Sequence, residues 1–478
     1  MKPIVILMTN TLRLDDNPAL SAACAEGVPV IPVYILDEET VGTRPYGAAR
    51  RWWLLKSLKE LSKQLTSLGS ALIIRKGITL RVVQALLEET GASIVHLTRS
   101  YEHWARESEA DIDDLCISQG GSCRRFTGNL LIEPEHIQTK TGKPYEVFTP
   151  FWRTAKGLIT GTPVNPPVNI IAPDKWPVSL DISDLSFEPC PASWAMPLAR
   201  IWQPGEIAAH ERLDMFLGGI VDHYKIGRDV PAKEATSRLS PYLTNGEISA
   251  RRVYFEAKNV LDKRPAAVEN ITSFIREIGW REFNNHLLYH FPHMPAQPLK
   301  PKFERFPWQQ GQGLLLKAWQ EGKTGFPIID AGMRQLWQTG WMHNRVRMIV
   351  ASFLVKDMLW HWREGEAWFW DTLVDADVAN NAAGWQWVAG CGADAAPYFR
   401  IFNPILQSEK FDKEGQYIRE FLPELSALPN AYIHKPFDAP QAVLKTAGIE
   451  LGKTYPFPIL NRQKARMRAL GALEATKL

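Results

Sequence analysis

Over the first 130 residues, short apolar runs alternate with longer amphipathic segments. Ile4 to Met8, Val28 to Leu36, Ala71 to Ile74 and Ile94 to Leu97 are rich in Val and Ile and are predicted strands. Asn17 to Ala25, Ala48 to Leu68, Leu80 to Glu89 and Glu102 to Gln119 carry apolar residues at helical spacing. This alternation predicts a Rossmann-like α/β domain with a parallel sheet, whose usual ligand crevice lies at the carboxyl ends of the strands. No G-x-G-x-x-G and no G-x-x-x-x-G-K-[ST] occurs, so ordinary dinucleotide or nucleoside triphosphate binding is not supported there.

Between Pro163 and Pro204 lie nine prolines in 42 residues, which predicts a surface connector and a domain boundary. From about Gly205 strand-like runs nearly vanish. Helical periods follow at Glu206 to Val221, Ile248 to Val260, Asn270 to Tyr289, Ala331 to Gln338, Asn344 to Trp360 and Asn461 to Ala475. The expected organisation is therefore an α/β domain over 1–130, a Pro-rich connector over 131–204 and an all-helical domain over 205–478.

Composition narrows the class. The chain has 478 residues, of which 45% are hydrophobic and 22% charged, which excludes a mostly disordered protein. No apolar run reaches the ~18 residues of a membrane span. The N-terminus runs straight into turn residues at Thr9 to Thr11, so the expected compartment is the cytoplasm. Five scattered cysteines form no C-x-x-C pair and are expected to be reduced thiols without a metal. A formal charge of +3 neither demands nor excludes nucleic acid. Tryptophan is the unusual count: eleven of 18 fall between Trp280 and Trp387.

Several short segments combine chemistry-bearing residues. On a helix, Glu277, Trp280, Arg281 and Asn284 share one face. A carboxylate, an indole and a guanidinium suit the edge, ring and phosphate of a nucleotide, although an amphipathic helix with a Glu277–Arg281 pair reads the same way. After Gly340, Asn344 and Met348 share a face while Arg345 and Arg347 point elsewhere, and His343 is a capping residue or a catalytic acid or base. Asp375 and Asp377 lie on one side of an extended stretch, where they suit a metal, a sugar hydroxyl or an arginine partner. Thr236-Ser237-Arg238-Leu239-Ser240 groups hydroxyls and a guanidinium before a helical turn, a plain N-cap or an anion site for a phosphate. Trp385 and Trp387 cannot share a helical face and must serve different neighbours.

Taken in order, TSRLS (236–240), EIGWREF (277–283), WQEGKTGFPIID (319–330), MHNRVRM (342–348), DADVANNAAGWQW (375–387) and FRIFNP (399–404) resemble the photolyase and cryptochrome flavoproteins over nearly the whole chain. Within that family the chain is most similar to bacterial class III cyclobutane pyrimidine dimer photolyases, with class I next. The resemblance implies FAD in the helical domain, with Tyr224 and Thr236, Ser237, Arg238, Leu239 and Ser240 around its phosphates. Asp375 and Asp377 would lie near the ribityl and isoalloxazine parts, Arg347 would pair with Asp375, and Asn381 would face flavin N5. Asparagine there marks photolyases, whereas plant cryptochromes carry aspartate. Trp385, Trp362 and Trp308 match the tryptophan chain that passes electrons from the surface to photoexcited flavin.

The substrate pocket implied by the resemblance comprises Glu277, Trp280, Arg281, Asn284, Asn344, Arg345, Met348, Trp387 and Gln407. Glu277, Asn381 and Met348 would act closest to the chemistry. Asn344 and Met348 match dimer repair rather than the histidine pair of (6-4) photolyases, and Trp387 argues against the single-strand-specific DASH group. Photoexcited reduced FAD would give an electron to a flipped-out dimer, two ring carbon–carbon bonds would break, and the electron would return. The partner would be DNA containing pyrimidine dimers, and the protein a monomer. The first strand departs from the family at Leu7 to Leu14, and Trp104 and Ala105 stand where folate-binding class I enzymes carry Asn-Glu. Trp52-Trp53-Leu54-Leu55 favours a methenyltetrahydrofolate antenna, with a deazaflavin as the alternative. A cryptochrome-type photoreceptor is the rival reading; no long tail follows Gln407 to support it.

Overall fold

The computed structural model describes residues 1–185, 192–394 and 399–476. Cys190, Pro189 and Pro191 fall outside them, and Cys24, Cys116, Cys123 and Cys391 are free thiols. The chain divides into two compact units. One comprises Met1–Ala195, Trp202–Asp222 and Ser237–Pro292, the other Met196–Ile201, His223–Thr236 and His293–Leu478.

The first unit is built on a five-stranded parallel sheet: β1 (Ile4–Leu7), β2 (Val30–Leu36), β3 (Ile73–Lys76), β4 (Ile94–Thr98) and β5 (Ser122–Phe126), in the order β3-β2-β1-β4-β5. Successive side chains point to opposite faces. Ile4 and Ile6 therefore join one core with Leu20, Leu58 and Leu61, while Val5 and Leu7 join the other with Val83, Leu87 and Ile112. Helices Pro18–Ala25 and Ala48–Ser67 cover the first face, Thr79–Thr90 and His103–Ser118 the second. Burial on both faces explains why these strands read as unbroken apolar runs. β5 was not expected. Among the described residues it is an edge strand, Ser-Cys-Arg-Arg-Phe, that pairs with β4 and leaves both arginines exposed.

Residues 202–222 and 237–292 group with the sheet by contact, whereas 205–478 is expected as one helical domain. Polar groups tie them to the first sixty residues. Glu206 accepts from the Leu14 and Asp15 backbone amides at 2.9 and 2.6 Å. Arg252 pairs with Asp15 at 2.6 Å, and Arg251 with Asp16 at 2.5 Å. Glu247, fully buried, accepts from Trp53 Nε1 at 2.9 Å, from Gly205 N at 2.6 Å and from the Ser57 hydroxyl. The expected connector is also partly helical, at Phe148–Ala155 and Ala192–Ile201.

The second unit is helical. Its longer members are Pro327–Thr339, Asn344–Ser352, Trp362–Thr372, Val378–Ala389, Pro404–Phe411 and Arg462–Ala475. The helix expected over Asn344 to Trp360 stops at Ser352 and continues as a π-helical turn, Phe353–Asp357. Leu359 then adopts φ 60°, and the chain leaves to pair Trp360 with Gln309. Among the described residues no helix is long and apolar enough to cross a membrane.

Burial pushes the Glu247 carboxyl up to about 8 against the hydrogen bonds it receives, and Glu206, Glu109 and Glu282 to about 7. A carboxyl with a raised folded-state pKa favours folding below its unfolded value, and that contribution is lost as pH rises through the folded value. Denaturant unfolding is therefore expected to show lower stability at about pH 9 than at about pH 6, and Glu247→Gln to shrink that difference without abolishing it. A pH dependence unchanged in the variant would contradict the assignment.

Candidate functional site

In the first unit, Glu277, Trp280, Arg281 and Asn284 lie half-buried along one face of the helix Val268–His290. The Glu277–Arg281 pair that helical spacing suggests is not the one that holds Arg281. Arg281 Nη1 pairs with Glu282 at 3.0 Å, because Glu282 is buried and also accepts from Leu131 N at 2.7 Å. Trp280 stacks face to face on Phe148, with ring centroids 3.8 Å apart and planes 7° apart. Phe283 meets both rings edge-on. The indole is thus fixed by the aromatic ring of another helix, a partner that no spacing within its own helix could reveal.

Residues 236–240 contain an unusual backbone. Arg238 is left-handed, at φ 51°, and Leu239 right-handed, at φ −83°. Such alternation turns successive amides into a concavity suited to anions. Arg212 Nε holds the segment by donating to Ser237 O at 2.7 Å, and the short helix Ser240–Thr244 follows. Leu239 is buried, so its side chain anchors the loop, and its amide donates to Ser237 Oγ at 3.4 Å.

In the second unit Tyr224 is buried, with the Arg228 guanidinium 5.4 Å from its ring centre. Arg347 Nη2 donates to both Asp375 oxygens at 3.0 and 2.8 Å, and its Nε donates to Met342 O at 2.7 Å. Asp377 caps the helix Val378–Ala389 by accepting from Asn380 N at 2.7 Å. Asn381 Nδ2 donates to Glu366 Oε1 at 2.7 Å and to Glu366 O at 3.0 Å. Both donor positions of that amide are used by Glu366, which leaves the carbonyl oxygen to accept from a ligand N–H. Glu366 itself carries no sequence signal beyond its place on an amphipathic helix. Gly384, one turn after Asn381, faces open space: a Cβ there would meet no atom within 4 Å.

His343 caps the helix Asn344–Ser352, accepting from Arg345 N at 3.2 Å, and burial lowers its pKa to about 4. It is a structural cap. Arg345 pairs with Asp229 at 2.6 Å, touches Met348 Sδ at 3.8 Å and lies 4.5 Å from the Phe411 ring centre. Asn344 is exposed, and Gln407 is half-buried one turn before Phe411 on the helix Pro404–Phe411. Arg345 therefore joins Met348 to the helix of Gln407. Trp387 is half-buried and donates from Nε1 to Asp394 O at 3.1 Å.

The indoles form a graded series. Trp385 and Trp362 are 2% and 1% exposed, and Trp308 is half-buried. Trp385 meets Phe369 and Trp319 edge-on at 5.0 and 6.2 Å. Its six-membered ring rests on Gly365, one turn after Trp362, where a Cβ would come within 2.1 Å of the indole. His361 touches both Trp362 and Trp308.

Within the second unit, the oriented amide carbonyl of Asn381 and the open position at Gly384 suit the ring of a flavin; within the first unit, the backbone of residues 237–240 suits an anion. Residues 4–168 match the model of DNA photolyase and residues 274–475 that of the FAD binding domain of DNA photolyase. A parallel α/β sheet followed by a helical FAD-binding region is a flavoprotein architecture. The deoxyribodipyrimidine photo-lyase of Agrobacterium fabrum is 50% identical over 476 residues, covering 99% of this chain and 98% of that one. Cryptochrome-1 of Arabidopsis thaliana is 37% identical over 479 residues, covering 98% of this chain and 70% of that one. A solved bacterial class III photolyase from Agrobacterium tumefaciens matches with a TM-score of 0.95 at 49% identity, covering 100% of this chain and 98% of that one. The chain belongs to the photolyase and cryptochrome family.

Gly365→Ala is expected to overpack the Trp385 ring and cost about 1–3 kcal/mol of stability in denaturant unfolding, with a changed near-UV circular dichroism from the tryptophans. Wild-type stability and spectrum would mean that the indole can move away freely.

Proposed function

We infer that this chain is a photolyase that repairs cyclobutane pyrimidine dimers in DNA under light. The observation that carries the reading is its likeness, over nearly the full length of both chains, to a photo-lyase. Asn381 favours repair over photoreception, because the resemblance places asparagine there in photolyases and aspartate in plant cryptochromes; Glu366 takes both of its N–H donors and leaves its carbonyl as an acceptor. Bound as reduced FAD, the cofactor supplies the light absorption and the electron that the dimer receives and returns. Tyr224 and residues Thr236 to Ser240 hold its phosphates, Arg347 and Asp375 its sugar-alcohol region together with Asp377, and Asn381 its ring edge.

The chain's own work on the substrate is binding and orientation. Enzymes that act on a base, photolyases among them, take it out of the stack, at least cost where pairing is already damaged. Trp280 and Trp387 stack on the flipped dimer, Glu277 accepts from its imide edge, and Asn344, Met348 and Gln407 line it. Arg281, Asn284 and Arg345 face the phosphates and sugar edge, reading shape and charge rather than sequence. Trp385, Trp362 and Trp308 serve a different step, restoring the reduced cofactor.

For an antenna we favour methenyltetrahydrofolate over a deazaflavin, on the likeness to class III enzymes. Trp52 and Trp53 add nothing to that choice: both are buried, and Trp53 is taken up by Glu247, Trp202 and Tyr242. We place the protein in the cytoplasm as a monomer, acting on DNA without a protein partner.

Glu277→Ala is expected to lower repair yield per bound dimer about tenfold or more while weakening dimer-DNA binding much less, the pattern of an interaction realised in the reaction itself. Gel shift and single-turnover repair under a flash series measure the two quantities; an unchanged yield would remove Glu277 from the mechanism. Trp362→Phe is expected to abolish light-driven reduction of the oxidised holoenzyme by an external thiol while prereduced protein still repairs. Loss of both would make Trp362 a packing residue.

A further inference from the structure

One imidazole lies against two of the three indoles assigned to electron transfer. The His361 ring centre is 5.8 Å from that of Trp308, at 64°, and 5.6 Å from that of Trp362, at 32°. Its position is fixed three times over. His361 N donates to Gln309 O at 2.8 Å, and Gln309 N donates to Leu359 O at 2.8 Å, so the backbone just after Trp308 is fastened to the backbone just before Trp362. Leu359 takes a left-handed conformation, φ 60°, to allow this pairing. The His361 side chain then caps the helix Trp362–Thr372, with Nδ1 accepting from Arg363 N at 3.1 Å.

The same cap sets the tautomer of the ring. With its Nδ1 lone pair engaged, the neutral imidazole carries its proton on Nε2. Burial and the nearby Arg363 guanidinium lower its pKa to about 4, which favours the neutral ring beside both indoles at neutral pH. A cation there would oppose a hole on either ring.

We propose that His361 is the positioning residue of the electron path between Trp362 and Trp308, a ring in contact with both indoles that holds them at working distance. The proposal rests on the assignment of Trp385, Trp362 and Trp308 as carriers, with photoexcited flavin as the oxidant. One electron leaves Trp308 for a Trp362 ring that has already given one to Trp385, and no bond forms or breaks. Trp308, left as a radical cation at a half-buried position, loses its indole proton to water. His361 does not take that proton, since its free lone pair already serves the cap.

Two substitutions separate ring from cap. His361→Asn keeps an acceptor for Arg363 N and removes the ring; His361→Phe keeps a ring and removes the cap. Light-driven reduction of the oxidised holoenzyme by an external thiol is expected to slow at least about fivefold in His361→Asn, a barrier change of about 1 kcal/mol. Flash absorption should show a longer-lived Trp362 radical in that variant. His361→Phe is expected to reduce at close to the wild-type rate although, in flavin-free thermal melts, it unfolds a few degrees lower from loss of the cap. Wild-type reduction in His361→Asn, or an equal slowing in His361→Phe, overturns the role of the ring. Trp362→Phe is the control for the underlying assignment. If it too reduces normally, the carriers themselves are wrong; if it is silent while His361→Asn is normal, only the His361 proposal fails.

Discussion

Gln386 is fully buried, and its amide is satisfied from both ends. Nε2 donates to Met294 O at 2.6 Å and to Gln297 O at 2.8 Å, while Oε1 accepts from Leu299 N at 2.9 Å. Turning or sliding the helix Val378–Ala389 would strand these groups in a dry interior, at about 1–3 kcal/mol for each one left unpaired. Lys356, also buried, adds a donor at the carboxyl end of that helix, where Nζ meets Ala389 O at 2.6 Å. The helix therefore has one rotation available. That rotation sends Trp385 inward onto Gly365 and Phe369, brings Asn381 to Glu366, and leaves Trp387 half-exposed beside Asp394.

Around this fixed helix the two kinds of proposed chemistry sit in different media. The inner carriers proposed for the electron path, Trp385 and Trp362, are almost without water, and burial lowers the pKa of the imidazole beside Trp362 to about 4. Moving a charge there is easiest when nothing charged must rearrange. The groups assigned to DNA are wetter: Asn344 is exposed, and Arg345 is held ready by Asp229 and the Phe411 ring. A guanidinium already oriented loses less freedom on meeting a phosphate, and it releases counterions from the DNA as it does so.

Much of this architecture was legible from residue order. Val- and Ile-rich runs marked β1 to β4 because parallel strands are apolar on both faces, and helical spacing located most helices to within a few residues. β5 escaped because an edge strand with two exposed arginines carries no apolar run. The division into units follows a different signal. Residues 202–222 and 237–292 are drawn to the sheet by Glu206, Glu247, Arg251 and Arg252, single polar residues whose partners lie some two hundred positions away. The same limit applies within the site. A shared helical face for Glu277, Trp280, Arg281 and Asn284 follows from spacing, but Phe148 under Trp280, Glu366 against Asn381 and Glu282 against Arg281 do not. Periodicity reports which way a side chain points; it is silent on what stands opposite.

The most direct measurement is the fate of a thymine-dimer oligonucleotide incubated with prereduced holoenzyme in near-UV or blue light, beside a dark control and a (6-4) lesion oligonucleotide. A dimer photolyase restores the intact thymines in light, restores none in the dark, and leaves the (6-4) lesion unconverted. A protein that holds FAD yet leaves the dimer untouched in light would contradict that reading, and would point to photoreception by the same fold.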